Sequence, residues 1–177
     1  GIAGRIAGHV AAFLRYRTGF DAYHFNFGSS LLHYLGRGIS LVDLPFYDAQ
    51  ARKVVTFNGC DARQKFPTMA RNRAAGNEVA ACFEAGCYGG MCNSGRLDRN
   101  RRAAIEKADR HADHFFAVNP DLLYFLPRGK TTFLPYAVAR RVVRVKEQFF
   151  AGDAVHIVHA PTQRASRAIT QRTASAA

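Results

Sequence analysis

The ten residues VVTFNGCDAR, residues 54–63, decide the fold. A run of β-prone residues leads directly into Asn58 and Gly59, which is typical of a buried strand that ends at a turn. The short polar side chains and the approachable glycine backbone that follow are suited to binding a sugar or a nucleotide. This stretch therefore predicts a buried strand whose carboxyl end forms part of a candidate binding site. The neighbouring strands would supply the other residues of that site.

Similar patterns recur on both sides of this strand. The stretch 20–30, FDAYHFNFGSS, alternates aromatic and polar residues before Gly28, and FFAVN at 115–119 ends on an asparagine. We expect five strands, at 20–30, 54–59, 115–119, 131–138 and 154–161. We expect helices at 5–17, at 29–38 with Ser29 or Ser30 as the cap, at 101–113, and after Asn119, where a proline follows the cap. This alternation predicts an α/β fold with a parallel sheet.

The strand ends supply the candidate binding residues. In a parallel sheet the carboxyl ends of the strands meet at one edge, where ligands bind. We expect Asp61 to be the polar contact that matters most, although aspartate is equally suited to capping a turn. The other residues expected at this edge are Asn26, Gly28, Asn58 and Gly59.

Residues 61–100 lack periodicity and are predicted to form a long irregular loop with one helical turn around 78–83. This region holds Cys82, Cys87 and Cys92 at five-residue intervals, and Cys60 lies just upstream. The spacing meets the upper limit for paired zinc ligands, so these four cysteines are candidates for a structural zinc site. Unbridged thiols are the alternative, and a disulfide is less expected because the sequence shows no export signal.

Composition restricts the class of partner. The 177 residues carry a formal net charge of +12, which favours partners that bear phosphate: nucleic acid, anionic lipid headgroups or a nucleotide. Arginines cluster at 99–102 and at 140–144, yet no nucleic-acid-binding motif accompanies them. We therefore rank peripheral contact with an anionic membrane above nucleic acid. No apolar run approaches the roughly 20 residues of a membrane span, and we expect a cytoplasmic protein, in part at the inner face of the membrane.

The order of five motifs resembles that of a known family. These motifs are YHFNFGSSLL (23–32), VVTFNGCDAR (54–63), ADHFFAVNPDLLYFLP (112–127), FLPYAV (133–138) and VHIVHAPTQR (155–164). Together they resemble bacterial glycosyltransferases of the GT-B type, in the group-one or family-four class used in surface polysaccharide synthesis. The resemblance implies a partial Rossmann-like acceptor-side domain at 1–150 and the first strand of a donor-binding domain at 151–164. The polar, small and unpatterned residues at 165–177 predict a disordered tail.

The resemblance also implies an activity. A sugar would pass from a nucleotide sugar to a glycan or lipid-linked acceptor, with no metal cofactor required for catalysis. Asn58 stands where the family often has a histidine, and an asparagine cannot titrate near neutral pH. The donor-half motif fails after Arg164, so we expect a fragment that is inactive on its own. Two alternatives stay open: a basic, metal-stabilised module that binds nucleic acid or an acidic polymer, and a degenerate gene product without activity.

Overall fold

The fold is built on a four-stranded parallel sheet. The computed structural model describes residues 2–34, 37–78 and 81–136. The strands lie in the order β1-β2-β3-β4, with every neighbouring pair parallel. Their bounds are Ala22–Asn26 (β1), Arg52–Phe57 (β2), His114–Ala117 (β3) and Thr131–Phe133 (β4). The α/β class and the four strands predicted within the described residues are confirmed.

In the described part of the chain, three α-helices accompany the sheet: Ile2–Tyr16 (α1), Lys65–Ala74 (α2) and Arg96–His111 (α3). The helices expected at 5–17 and 101–113 are thus confirmed, and α3 begins five residues earlier than predicted. Short 3-10 helices cover Leu44–Phe46, Ala81–Phe83, Cys87–Ser94, Pro120–Tyr124 and Arg128–Lys130. Within the described ranges, no helix combines the length and apolarity needed to cross a membrane.

The central strands form the core. Val55 and Phe57 of β2 and Phe115 of β3 are fully buried, and the rings of Phe57 and Phe115 meet edge to face at 5.7 Å between centroids. Ala104 and Ala108 of α3 are buried in the same cluster. Burial of these apolar groups fixes which face of each strand packs against the core. It thereby fixes where the residues that follow each strand are placed.

The helix expected at 29–38 is wrong. The described residues of this segment form bends and one antiparallel bridge between Tyr34 and Ile39. The Ser30 hydroxyl donates to the fully buried Asp43 carboxylate, which also accepts the Leu32 backbone N–H at 3.1 Å. A buried carboxylate must be satisfied by hydrogen bonds, so this long-range demand overrides the local preference for a helix.

The irregular loop expected at 61–100 is also wrong, because it contains α2 and the start of α3. Gln64, the N-cap residue of α2, makes no side-chain cap bond. Instead the buried Asp98 of α3 accepts the backbone N–H groups of Lys65 at 2.7 Å and Phe66 at 2.9 Å. The free N–H groups of the first helical turn thus find an acceptor on another helix.

Several expectations fall outside the described residues. These are the fifth strand at 154–161, the start of a second domain at 151–164, the disordered tail at 165–177 and the basic cluster at 140–146.

Candidate functional site

A cavity of about 380 Å³ lies at the carboxyl edge of the sheet. Its polar wall is the turn after β2, and its apolar wall includes three aromatic rings from separate segments. These lining residues are Asn58, Gly59, Asp61, Phe27, Tyr88 and Tyr136. His33 and Arg101 also line the cavity. The turn after β2 that decided the fold therefore forms one side of a concave site.

Amide hydrogen bonds join three strand ends at this edge. The Asn58 Nδ2 donates to Asn26 Oδ1 at 3.3 Å, and the Asn119 Nδ2 donates to the Asn58 carbonyl at 2.5 Å. The expectation that these strand ends lie together is confirmed. The expected side-chain cap by Asn119 is wrong: Asn119 occupies the N-cap position of the helix that follows, but its side chain accepts no cap bond and instead donates from Nδ2 to the Asn58 carbonyl.

The Asp61 carboxylate organises the turn after β2. One oxygen accepts the Asn58 backbone N–H at 2.8 Å, and the other accepts those of Gly59 at 2.5 Å and Ala62 at 3.2 Å. The turn role that the sequence left open as an alternative is thus observed directly. A direct contact between Asp61 and a substrate stays a prediction.

The backbone around the cavity is strained at two points. Phe27 and Tyr88 adopt φ values of 56° and 53°, a left-handed conformation that disfavours any residue with a Cβ atom. Such strain concentrates at functional sites. Gly28, also at positive φ, has a packing reason: a Cβ there would lie 2.4 Å from the Phe57 ring. Among the four residues expected to line the edge, Asn58 and Gly59 line the cavity, whereas Asn26 and Gly28 do not.

His33 is a candidate that the sequence analysis missed. Burial lowers the pKa of His33, while the nearby carboxylates of Asp43 and Asp61 act in the opposite direction. Its Nδ1 is buried and has no hydrogen-bond partner within the described residues, and the same is true of Oδ1 of Asn58, which also lines the cavity. Buried polar atoms are normally satisfied, so both atoms are exceptions. His33 lies in the segment that was predicted to be a helix, and nothing in that pattern singled it out.

All four cysteines are free thiols, and Cys60 lines the cavity. Burial raises the pKa of the Cys82 thiol, Cys60, Cys87 and Cys92 raise it further, and Arg63 lowers it. In the part of the chain that the structure describes, no group of three or more histidine, cysteine, aspartate or glutamate side chains is arranged to hold a metal ion. The structural zinc site stays a prediction.

The arginine cluster at 99–102 is partly exposed: Arg99 and Arg102 are exposed, whereas Arg101 is buried. Arg101 is 2% exposed, and its Nε donates to the Cys60 carbonyl at 2.5 Å. Arg102 reaches Gln64 on the neighbouring helix at 3.3 Å. Of these arginines, only Arg101 is buried in internal contacts, and Arg99 and Arg102 stay on the surface.

Comparison with known proteins adds no further constraint on the site. No protein-family model matches the sequence, and no curated protein or solved structure matches it either. The function is therefore argued from the cavity at the carboxyl edge of this parallel α/β sheet.

Proposed function

We propose that the cavity binds a sugar unit and that the chain is the acceptor-side half of a GT-B type glycosyltransferase. The observation that carries this proposal is the pairing of exposed aromatic rings with the polar residues His33 and Asn58 in one cavity at the carboxyl edge of a parallel sheet. Ligands of α/β proteins bind at this edge.

The chemistry of the cavity wall suits a carbohydrate. A pyranose presents C–H groups on its faces, which pack against aromatic rings such as Phe27 and Tyr88. Its hydroxyl groups both donate and accept, so they suit a cavity lined by the polar side chains of His33, Asn58 and Asp61. A volume of about 380 Å³ is within the range of small-ligand pockets.

Transfer of a sugar needs a group that takes a proton from the acceptor hydroxyl. Burial lowers the pKa of His33, so its imidazole is neutral near pH 7 and able to accept a proton. Asp61 then acts by fixing the turn that presents Asn58 and Gly59 to the acceptor. The donor in this proposal is a nucleotide sugar, and the acceptor is a glycan or a lipid-linked sugar brought to a basic protein at an anionic membrane.

Ligand-observed saturation-transfer NMR on the whole 177-residue chain tests the proposal. The ligands are the methyl and octyl glycosides of common hexoses and N-acetylhexosamines. We expect transfer from the protein to the ring protons of at least one glycoside, and affinity weaker by about tenfold in Phe27→Ala, which corresponds to about 1.4 kcal/mol. The matched control is Phe20→Ala, because Phe20 is similarly exposed but lies before β1 at the opposite edge of the sheet.

The contrary results are equally clear. Absence of saturation transfer from every glycoside, or equal loss in Phe27→Ala and Phe20→Ala, contradicts the sugar site. Salt-sensitive binding to single-stranded or duplex oligonucleotides, together with no glycoside binding, instead supports the basic nucleic-acid module.

A further inference from the structure

We propose that α1 docks the protein on an anionic membrane surface through an apolar stripe formed by Ile6, Val10 and Leu14. The observations behind this inference are independent of the sugar cavity. The three residues recur every four positions in α1, so their side chains lie on one face of the helix. They are 48%, 38% and 59% exposed, respectively. Because a surface helix normally turns such a stripe toward the core, this one is available to a partner.

The fold holds α1 by a different side. Among the described residues of α1, Phe13 alone is buried, and its ring packs edge to face on Tyr47 at 5.4 Å between centroids. A Cβ atom at Gly4 or Gly8 would meet no neighbouring atom within 4 Å in the described structure. The first turns of α1 therefore stand clear of the protein, and the apolar stripe lies on a projecting helix.

The charge of this segment favours an anionic partner. The first acidic residue of the chain is Asp21, and three arginines precede it: Arg5, Arg15 and Arg17. Arg15 and Arg17 are exposed, and within the described residues neither forms an ion pair with a carboxylate. Basic residues near a negatively charged bilayer each strengthen binding to it. The segment thus combines an apolar stripe with uncompensated positive charge.

A lipid surface satisfies both features. A basic amphipathic helix lies in the plane of the interface, with its apolar face among the acyl chains and its cations at the headgroups. The exposed Tyr16 at the end of α1 fits this position, since tyrosine is enriched at the level of the headgroups. Nucleic acid offers phosphate but no apolar layer for the stripe. A second copy of the chain would bring together two proteins that each carry a net charge of +12, which opposes association.

Sedimentation with vesicles tests the proposal on the whole 177-residue chain. The vesicles contain either phosphatidylcholine alone or equal amounts of phosphatidylcholine and phosphatidylglycerol. We expect the chain to sediment with the mixed vesicles, and added salt to weaken this binding. Ile6→Gln should lower the affinity by about tenfold, because the isoleucine side chain is no longer buried in lipid. The matched control is Ile39→Gln, because Ile39 is 45% exposed but lies outside α1; it should bind as wild type does.

The same assay measures the contribution of local charge. Arg15→Gln should lower the affinity for mixed vesicles by about fivefold, because one cation is lost beside the headgroups. The control is Arg128→Gln, which removes the same charge from an exposed position far from α1 in the sequence and should have a smaller effect.

Tryptophan fluorescence shows whether the apolar stripe itself enters the lipid. The chain contains no tryptophan, so Leu14→Trp introduces a single fluorophore into the stripe. Its emission should shift to shorter wavelength with the mixed vesicles and stay unchanged with phosphatidylcholine alone. The control is Leu134→Trp, because the exposed Leu134 follows β4 and lies outside α1; its emission should not shift.

The contrary results identify what is wrong. Failure to sediment with the mixed vesicles, or equal binding to phosphatidylcholine alone, overturns the proposal. Equal losses in Ile6→Gln and Ile39→Gln overturn it too, as does an unshifted emission from Leu14→Trp. A dimer that Ile6→Gln converts to a monomer, without vesicle binding, assigns the stripe to a second copy of the chain instead. Glycoside binding is measured without vesicles, so failure of this proposal and failure of the sugar site are distinguishable.

Discussion

Replacing Asp61 by alanine removes the acceptor of three backbone N–H groups at the turn after β2. These N–H groups belong to Asn58, Gly59 and Ala62, and the turn is half-buried, so water restores only part of what is lost. At about 1 kcal/mol for each net hydrogen bond, the expected loss in the free energy of unfolding is about 3 kcal/mol. For a chain of this size such a loss lowers Tm by about 6–12 °C.

Asp61→Asn is a milder variant with which the alanine variant can be compared. The asparagine oxygen can keep the bonds to Gly59 and Ala62, and only the bond from Asn58 is lost, so we expect a cost of about 1 kcal/mol. Urea denaturation followed by circular dichroism measures both variants. The control is Asp48→Ala, because Asp48 is also an aspartate in a turn but accepts a single exposed N–H, from Gln50 at 3.0 Å.

The outcome separates two roles of Asp61. An unfolding free energy of Asp61→Ala within about 0.5 kcal/mol of wild type refutes the structural reasoning and leaves substrate contact as the role that the sequence suggested. The expected loss, with weaker glycoside binding, supports a carboxylate that acts by shaping the cavity through Asn58 and Gly59.

Three further predictions concern packing and pH. Gly28→Ala should lower the free energy of unfolding by about 2–5 kcal/mol, because a Cβ at φ +52° would overlap the Phe57 ring; equal urea midpoints for variant and wild type would contradict this. The pKa of His33 is lowered in the folded state, so the unfolded chain binds more protons and stability falls as the pH drops below about 6.5; His33→Gln should flatten this part of a Tm-against-pH curve. The pKa of Asp113 is lowered chiefly by the Lys53 backbone N–H, so its contribution is present above about pH 4 and lost below it; Asp113→Asn should be less acid-sensitive than wild type, and an unchanged acid limb would contradict this.

The strands were predictable because their signals are local. VVTF at 54–57 and FFA at 115–117 are apolar runs that end at an asparagine or glycine turn, and both runs enter the core as expected. The parallel arrangement followed from the alternation with helices. The meeting of Asn26 and Asn58 then followed from topology alone, without knowledge of any side-chain contact.

What the sequence did not reveal depends on contacts between distant residues. Helix α2 has no polar cap before it and carries Pro67 in its first turn, so its local signals are weak. Its start is set by Asp98, a residue 33 positions away from Lys65. The segment around His33 shows the opposite case, in which the local signal predicted a helix that does not form. Its serine residues suggested a helix cap, but the Ser30 hydroxyl donates to the buried carboxylate of Asp43 instead.

The cap that Asp98 provides to α2 also predicts how the protein should behave when the backbone is cleaved between α2 and α3. The Asp98 carboxylate accepts the Lys65 backbone N–H at the start of α2, and the Lys65 ammonium donates to the Glu84 carbonyl and to the Asn93 side chain. These hydrogen bonds connect the start of α2 to the segment that follows it and to α3. Gly76 lies between them, exposed and in a left-handed turn that is open to proteases. A single cut there should yield two pieces that separate in denaturing gels yet migrate as one particle in native gels, so the nicked protein would behave as a noncovalent heterodimer of its own halves.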